Sequence, residues 1–221
     1  MVKTKMTKKE LKERVRKNII EADNTISTKT GLEVAEVVTK VANAEGVRWA
    51  IVGGLAMHLY GFVRATTDID FISDKNLPLT AERYLSFGGA RYSIGIKDHK
   101  VPVDWIIRRD RYKRIFELAL AEAIELHGWL IVSPEWLVIM KYIAGRPKDE
   151  TDLIWLAQQP RLVNRQQVRR NLQKAFGEDA GDIIFYELIR RPFALADGTR
   201  IKDGDENETY ISLDEYPEYN D

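Results

Sequence analysis

The sequence predicts an α+β fold: a small mixed β-sheet, with helices before it and a C-terminal helical region after it. Three observations carry this. Short apolar runs at 49–52 and 67–73, the first closed by two glycines, read as buried strands. Runs at 90–96 and 101–107, separated by Lys97, Asp98, His99 and Lys100, read as a hairpin. Beyond residue 133 only helical periodicities recur, so strands and helices segregate along the chain.

In order, residues 7–22 read as a helix. A second at 30–45 has Thr30 as cap, an apolar stripe of Leu32, Ala35, Val38 and Val41, and Gly46 as stop. Trp49 to Val52 is a strand, broken by Gly53-Gly54 before a short helix at 55–60. The strand 67–73 precedes an expected helix at 79–87 and then the hairpin. A long helix is expected at 111–126, with His127 at its C-terminal end, and a strand at 129–132. Ser133 caps and Pro134 opens a helix at 134–145, and further helices follow at about 149–158, 164–176 and 179–190. The expected division is a core with N-terminal helices over 1–132, a helical region over 133–195 and an acidic, mobile tail over 196–221.

Composition removes whole classes of function. The 221 residues include no cysteine and three histidines, which excludes disulfides, zinc–cysteine sites and thiol nucleophiles. His58 is expected to be packed and His99 to sit at the hairpin tip. The five tryptophans, Trp49, Trp105, Trp129, Trp136 and Trp155, are expected in the core. No apolar run approaches the ~18 residues that span a bilayer, and no apolar signal core follows the basic start, so a cytoplasmic protein without membrane contact is expected. The 34 basic and 34 acidic residues cancel. They are unevenly spread: residues 1–17 sum to +6, 108–114 to +4, 161–174 to +5 and 197–221 to −7. The basic stretches are either solvated helix faces or a local face for a polyanion.

The chemistry concentrates at 49–71. Alternate residues of a strand share a face, so Asp68 and Asp70 project together while Ile69 and Phe71 turn away. Paired carboxylates on one face of a buried strand stay ionised only beside a cation. Oxygen donors without His or Cys suit Mg²⁺ or Mn²⁺. Gly53 and Gly54 let backbone N–H groups approach an anion at a helix N-terminus. Asp104 is the sole charge inside 101–107, an expensive placement unless it meets a cation, and it is read as the third metal ligand and general base. Together these residues suit an NTP–metal complex and an in-line phosphoryl displacement. No G-x-x-x-x-G-K-[ST] motif exists, so a P-loop enzyme is excluded.

The run of a glycine pair, then Arg64-Ala65-Thr66-Thr67-Asp68-Ile69-Asp70, then a later strand aspartate, resembles the nucleotidyltransferase fold of the DNA polymerase β type. It is similar to the AbiEii-like branch, which includes MenT-type toxins, and to that branch's small relatives. The resemblance covers roughly 47–157. It implies Asp68, Asp70 and Asp104 as catalytic and metal-binding residues. It also implies Gly53, Gly54, Arg64, Thr67 and Lys141 as nucleotide-binding residues, and Arg146, Lys148, Asp149 and Asp152 as a supporting cluster behind the site. Read from the residues alone, Lys141 either reaches a triphosphate or extends to solvent. Arg64 either contacts phosphate or orients the aspartates. Asp149 and Asp152 either support the site or serve a helix N-terminus. The implied activity is transfer of NMP from an NTP to a hydroxyl. The acceptor implied by the branch is a tRNA 3′ end or other RNA, with an antitoxin protein as partner. Alternatives are a small antibiotic-type acceptor, a protein side chain, or a non-catalytic nucleotide-binding module.

Overall fold

Four apolar residues, Trp49–Val52, form β1, which is buried along its whole length. The structure is a computed structural model that describes residues 6–21, 26–62, 64, 66–96 and 99–197. Before β1 come α1 (Lys8–Glu21) and α2 (Ile26–Ala44), and α3 (Gly53–Tyr60) follows it directly. The sheet continues with β2 (Ile69–Ser73), β3 (Arg83–Tyr84), β4 (Gly89–Ile96), β5 (His99–Ile106), β6 (Ile124–Leu126) and β7 (Trp129–Ile131). Its seven strands lie in the order β3-β4-β5-β2-β1-β7-β6. β2 pairs with β5 and β1 with β7 in parallel, and the remaining neighbours pair antiparallel, so the sheet is mixed. This is the α+β fold expected.

The helices are α4 (Lys113–Ala121), α5 (Pro134–Ala144), α6 (Pro147–Ala157), α7 (Arg165–Phe176) and α8 (Glu178–Leu188), with a π-helical turn at Ile189–Phe193 and a last turn, α9 (Ala194–Ala196). Ser133 caps α5 as expected, its Oγ accepting from the Trp136 N–H at 3.4 Å. One core runs from Leu11 to Phe193 and includes the fully buried Trp105, Trp136, Tyr60 and Phe71. Trp49 is buried too, and Trp129 and Trp155 pack against the same core, so all five tryptophans are structural.

Three expectations are corrected. Residues 79–87 are not helical: Arg83 and Tyr84 pair with Arg91 and Ala90 as an edge strand. Gly88 and Gly89 both have positive φ, and a Cβ on Gly89 would fall 2.1 Å from the Trp105 carbonyl, so a glycine turn against β5 overrides local helix propensity. The long helix at 111–126 ends at Ala121, and Ile124–Leu126 turns back through His127 and Gly128 to pair with β7. His127 is therefore a left-handed turn residue (φ 54°), and its Nε2 meets the Lys12 carbonyl at 2.9 Å. α2 starts at Ile26, which puts Thr30 inside the helix rather than at its cap. Residues 1–5, residues 97 and 98 of the expected hairpin turn, and the expected mobile tail from 198 onward lie outside the described residues.

Candidate active site

Strand register assembles the acidic cluster. Val52 of β1 lies opposite Asp70 of β2, Asp70 opposite Asp104 of β5, and Asp104 opposite Arg91 of β4. Residues directly opposite one another share a face, so one row across four strands carries Asp70, Asp104 and Arg91 on the same side. Asp68 sits just before β2 and joins them: one carboxylate oxygen from each of Asp68, Asp70 and Asp104 lies within 4.8 Å of the others. The three aspartates therefore meet as expected.

Arg91 is the residue that sequence reasoning missed. Its Nε donates to Asp104 Oδ1 at 2.5 Å, and its Nη2 donates to Asp104 Oδ2 at 2.7 Å and to Asp68 Oδ2 at 3.1 Å. The four-residue turn expected at 97–100 would set residue 91 opposite Ile106. The observed register pairs Ile96 with His99, so His99 belongs to β5 rather than to the tip, and it brings Arg91 opposite Asp104. Asp70, by contrast, has no hydrogen-bond partner among the described residues. Burial, and then the charges of Asp68 and Asp104, push its carboxyl up to about 6.

Gly53 is pressed against this cluster. It has φ +64°, and a Cβ there would lie 2.0 Å from Asp70 Oδ2. α3 thus starts with bare backbone beside the carboxylates and without a side-chain cap at its N-terminus. Gly54 is packed on Thr66, where a Cβ would come within 2.5 Å of the hydroxyl. Thr66 in turn donates to the Asp68 carbonyl at 3.0 Å, whereas Thr67 is exposed. The loop thus rests on Thr66, which sequence reasoning passed over in favour of its neighbour. Gly53→Ala is expected to destabilise the fold by about 1–3 kcal/mol through backbone strain and to push Asp70 out of the cluster. Urea unfolding and Mn²⁺ titration check it, and a variant unchanged in both would show that Asp70 moves aside freely.

Behind the carboxylates lies a second charge cluster. Lys141 of α5 is 6% exposed, and its Nζ contacts Asp149 at 2.9 Å and Asp152 at 2.7 Å, both on α6 and both fully buried. Arg64 reaches Asp152 through Nε at 2.6 Å and Nη2 at 2.7 Å, which raises the guanidinium pKa further. Arg146 bonds Asp149, and hydrogen bonds from Arg146 and Lys141 hold the Asp149 carboxyl below its usual range against the opposing pull of burial. Arg64, expected to contact phosphate or orient the aspartates, bonds Asp152 and also feels the charge of Asp70. Lys141 neither extends to solvent nor stands alone, because the turn at Gly145 folds α6 back onto it. His58 is packed as expected. Its ring meets the Thr28 hydroxyl at 2.8 Å and the Arg64 backbone, and burial keeps its pKa below the ordinary value.

The two clusters face one cavity of about 530 Å³, inside the ~300–1,000 Å³ range of small-molecule sites. It is lined by the three aspartates, by Arg91, Lys141, Arg146 and Lys148, and by apolar side chains including Phe87, Ile106, Phe116 and Met140, with Arg108 over the Phe87 and Phe116 rings. Lys148 makes no ion pair among the described residues, and its charge lowers the Asp70 pKa.

Residues 32–164, more than half of the chain, match the family model described as "Nucleotidyltransferase of unknown function (DUF6036)". The chain belongs to this family. No curated protein matches it. Among solved structures it is similar to "an antigenic nucleotidyltransferase-like protein from Paracoccidioides brasiliensis", at 17% identity over 89% of this chain and 96% of that one, with a TM-score of 0.44.

A nucleotidyltransferase acts on a nucleoside triphosphate, and the three clustered aspartates suit a divalent metal. The donors are all carboxylate oxygens, which hard divalent ions prefer. Asp70, without a hydrogen-bond partner among the described residues and with its carboxyl pushed up by burial and by Asp68 and Asp104, is the anion that such an ion would relieve. No described helix is long and apolar enough to cross a membrane.

The cations of 161–174, and Arg108 of 108–114, have partners within the chain. Of the cations in 161–174, Arg161 pairs with Glu10, Arg165 with Asp197, Arg169 with Asp182 and Lys174 with Glu122, while Arg170 bonds Gln167. Arg108 pairs with Asp110 and lies 4.6 Å from the Phe87 ring centroid.

Proposed function

We propose that this nucleotidyltransferase moves NMP from an NTP to an acceptor hydroxyl in a Mg²⁺- or Mn²⁺-dependent reaction. The observation that carries this is the meeting of Asp68, Asp70 and Asp104 within 4.8 Å in the lining of a nucleotide-sized cavity. These three would hold the metal. When bound, it would supply charge neutralisation at the triphosphate and lower the pKa of a coordinated hydroxyl.

The protein's own groups divide the remaining work. Gly53 and Gly54 offer close backbone approach at the α3 N-terminus, where phosphate is favoured. Lys148, Lys141 and Arg146 oppose the triphosphate charge from the α5–α6 side. The acceptor oxygen bonds the α-phosphorus, the bond to the β-phosphate's bridging oxygen breaks, pyrophosphate leaves with that electron pair, and the proton passes to an Asp104 oxygen. The tRNA 3′ end, with a toxin role and an antitoxin partner, is the acceptor reading taken from the AbiEii-like resemblance. The surface pairing of the 161–174 cations within the chain favours a second reading, a small hydroxylated acceptor. A polyanion would have to displace those contacts to gain its own.

The test offers each α-labelled NTP with Mg²⁺ to RNA, to small hydroxylated compounds and to protein. Label is expected on one class, with Asp68→Asn lowering it by about 10²–10³-fold or more. Label that survives the substitution, or a wild-type protein that binds no NTP, would overturn the reading.

A further inference from the structure

The cation nearest the three aspartates comes from the protein itself. Both oxygens of Asp104 accept from Arg91, at 2.5 and 2.7 Å, and the same guanidinium reaches Asp68 at 3.1 Å. The strands fix this contact, because Arg91 and Asp104 are directly opposite in β4 and β5. Only Asp70 lacks a share of it. A divalent ion shared by all three carboxylates must therefore compete with Arg91 for Asp104 and Asp68. Charge points the same way: three carboxylates and one arginine sum to −2, and a divalent ion brings that neighbourhood to zero. The hold on the guanidinium then weakens. Arg91 lines the same cavity as Lys141 and Lys148, and its planar fork matches phosphate as well as carboxylate.

We propose that Arg91 is an exchangeable counter-cation, held by Asp104 and Asp68 in the metal-free protein and handed to the nucleotide's phosphates when a divalent ion takes its place. The inference rests on the metal-dependent reading above. It gives Arg91 opposite effects on two ligands: it weakens metal binding alone, and it strengthens nucleotide binding once metal is present. Metal and nucleotide binding are then coupled through one side chain, and the coupling is reciprocal.

The experiment titrates Mn²⁺ into nucleotide-free protein by calorimetry at pH 8, then titrates a non-hydrolysable NTP analogue at saturating Mn²⁺. Arg91→Gln is expected to bind Mn²⁺ about tenfold tighter than wild type and the analogue about tenfold more weakly, within the usual range of coupling between sites. Unchanged or weaker Mn²⁺ binding would mean that Arg91 holds the carboxylates in place, and would overturn the proposal. Unchanged analogue binding would overturn the hand-over. If Arg91→Gln does not fold, Arg91→Lys decides. Lysine cannot span both Asp104 oxygens and Asp68, so its Mn²⁺ affinity must rise; an equal or lower affinity overturns the proposal. Asp70→Asn separates this from the parent reading. If it binds Mn²⁺ as wild type does, the metal site itself is wrong, whereas loss of binding there with no change in Arg91→Gln sinks only the role of Arg91.

Discussion

Asp70→Asn is expected to abolish nucleotidyl transfer and, in the absence of metal, to make the protein more stable. The second half follows from the environment of the carboxylate. Its pKa is pushed from 3.8 up to about 6, first by burial and then by Asp68 and Asp104, with Lys141 and Lys148 only partly opposing this. Between those two values the folded protein holds a proton that the unfolded chain has released. Stability therefore falls as pH rises from about 4 to about 6, and above that the whole penalty is present. At about 1.4 kcal/mol per pKa unit, the interval amounts to roughly 3 kcal/mol.

Asparagine has nearly the same shape and no charge, so it escapes this penalty. The variant should melt above wild type at pH 8 and level with it at pH 4. Adding Mg²⁺ should reverse the order, since a ligand bound only by the folded state stabilises it as RT ln(1 + [L]/Kd), and the variant has lost a ligand. Thermal melts at two pH values, with and without Mg²⁺, check all three limbs. A variant less stable than wild type at pH 8 without metal would show that Asp70 makes a stabilising contact, contrary to its lack of a partner here.

The acidic cluster was legible because its signals are local. A Gly-Gly after four apolar residues, two aspartates two apart and a lone charge in a strand each depend on a few neighbours. Arg91 shows the next level. It becomes a site residue only through cross-strand register, and the turn read at 97–100 misses that register by two residues. Lys141, Asp149 and Asp152 show the limit. Their types and spacing marked them as important, yet whether the lysine faces a ligand, water or two carboxylates depends on how α6 packs on α5. Residues 79–87 failed for a related reason. The edge strand exists because β4 is there to pair with, and only the Gly88-Gly89 turn hinted that the chain doubles back. The split of 111–126 has the same origin, since β6 is held by β7.

Asp152→Ala is expected to be among the most destabilising single changes, because it removes the shared acceptor of two cations. Asp152 is fully buried and takes two hydrogen bonds from Arg64 and one ion-pair contact from Lys141. Without it Lys141, at 6% exposure, keeps Asp149 as its carboxylate, and Asp149 is already engaged by Arg146. Breaking a buried pair by deleting one partner typically costs about 3–5 kcal/mol. Removing the exposed Lys40–Glu36 pair with Lys40→Ala should cost less than about 1 kcal/mol and serves as the control. The two buried carboxylates face Arg64, Lys141 and the largely exposed Arg146, so three cations against two anions leave an excess positive charge beside a triad of the opposite sign. Deleting Asp152 makes that excess larger. If the cluster acts on the nucleotide by charge alone, the variant should bind an NTP analogue at least as well as wild type while losing stability. If it acts by fixing Lys141 in place, analogue affinity should fall with stability. Urea unfolding together with analogue titration separates the two, and the fixed position of Lys141 between α5 and α6 predicts the second. A melting temperature within a degree of wild type would remove the buried cluster from the account of what holds this site together.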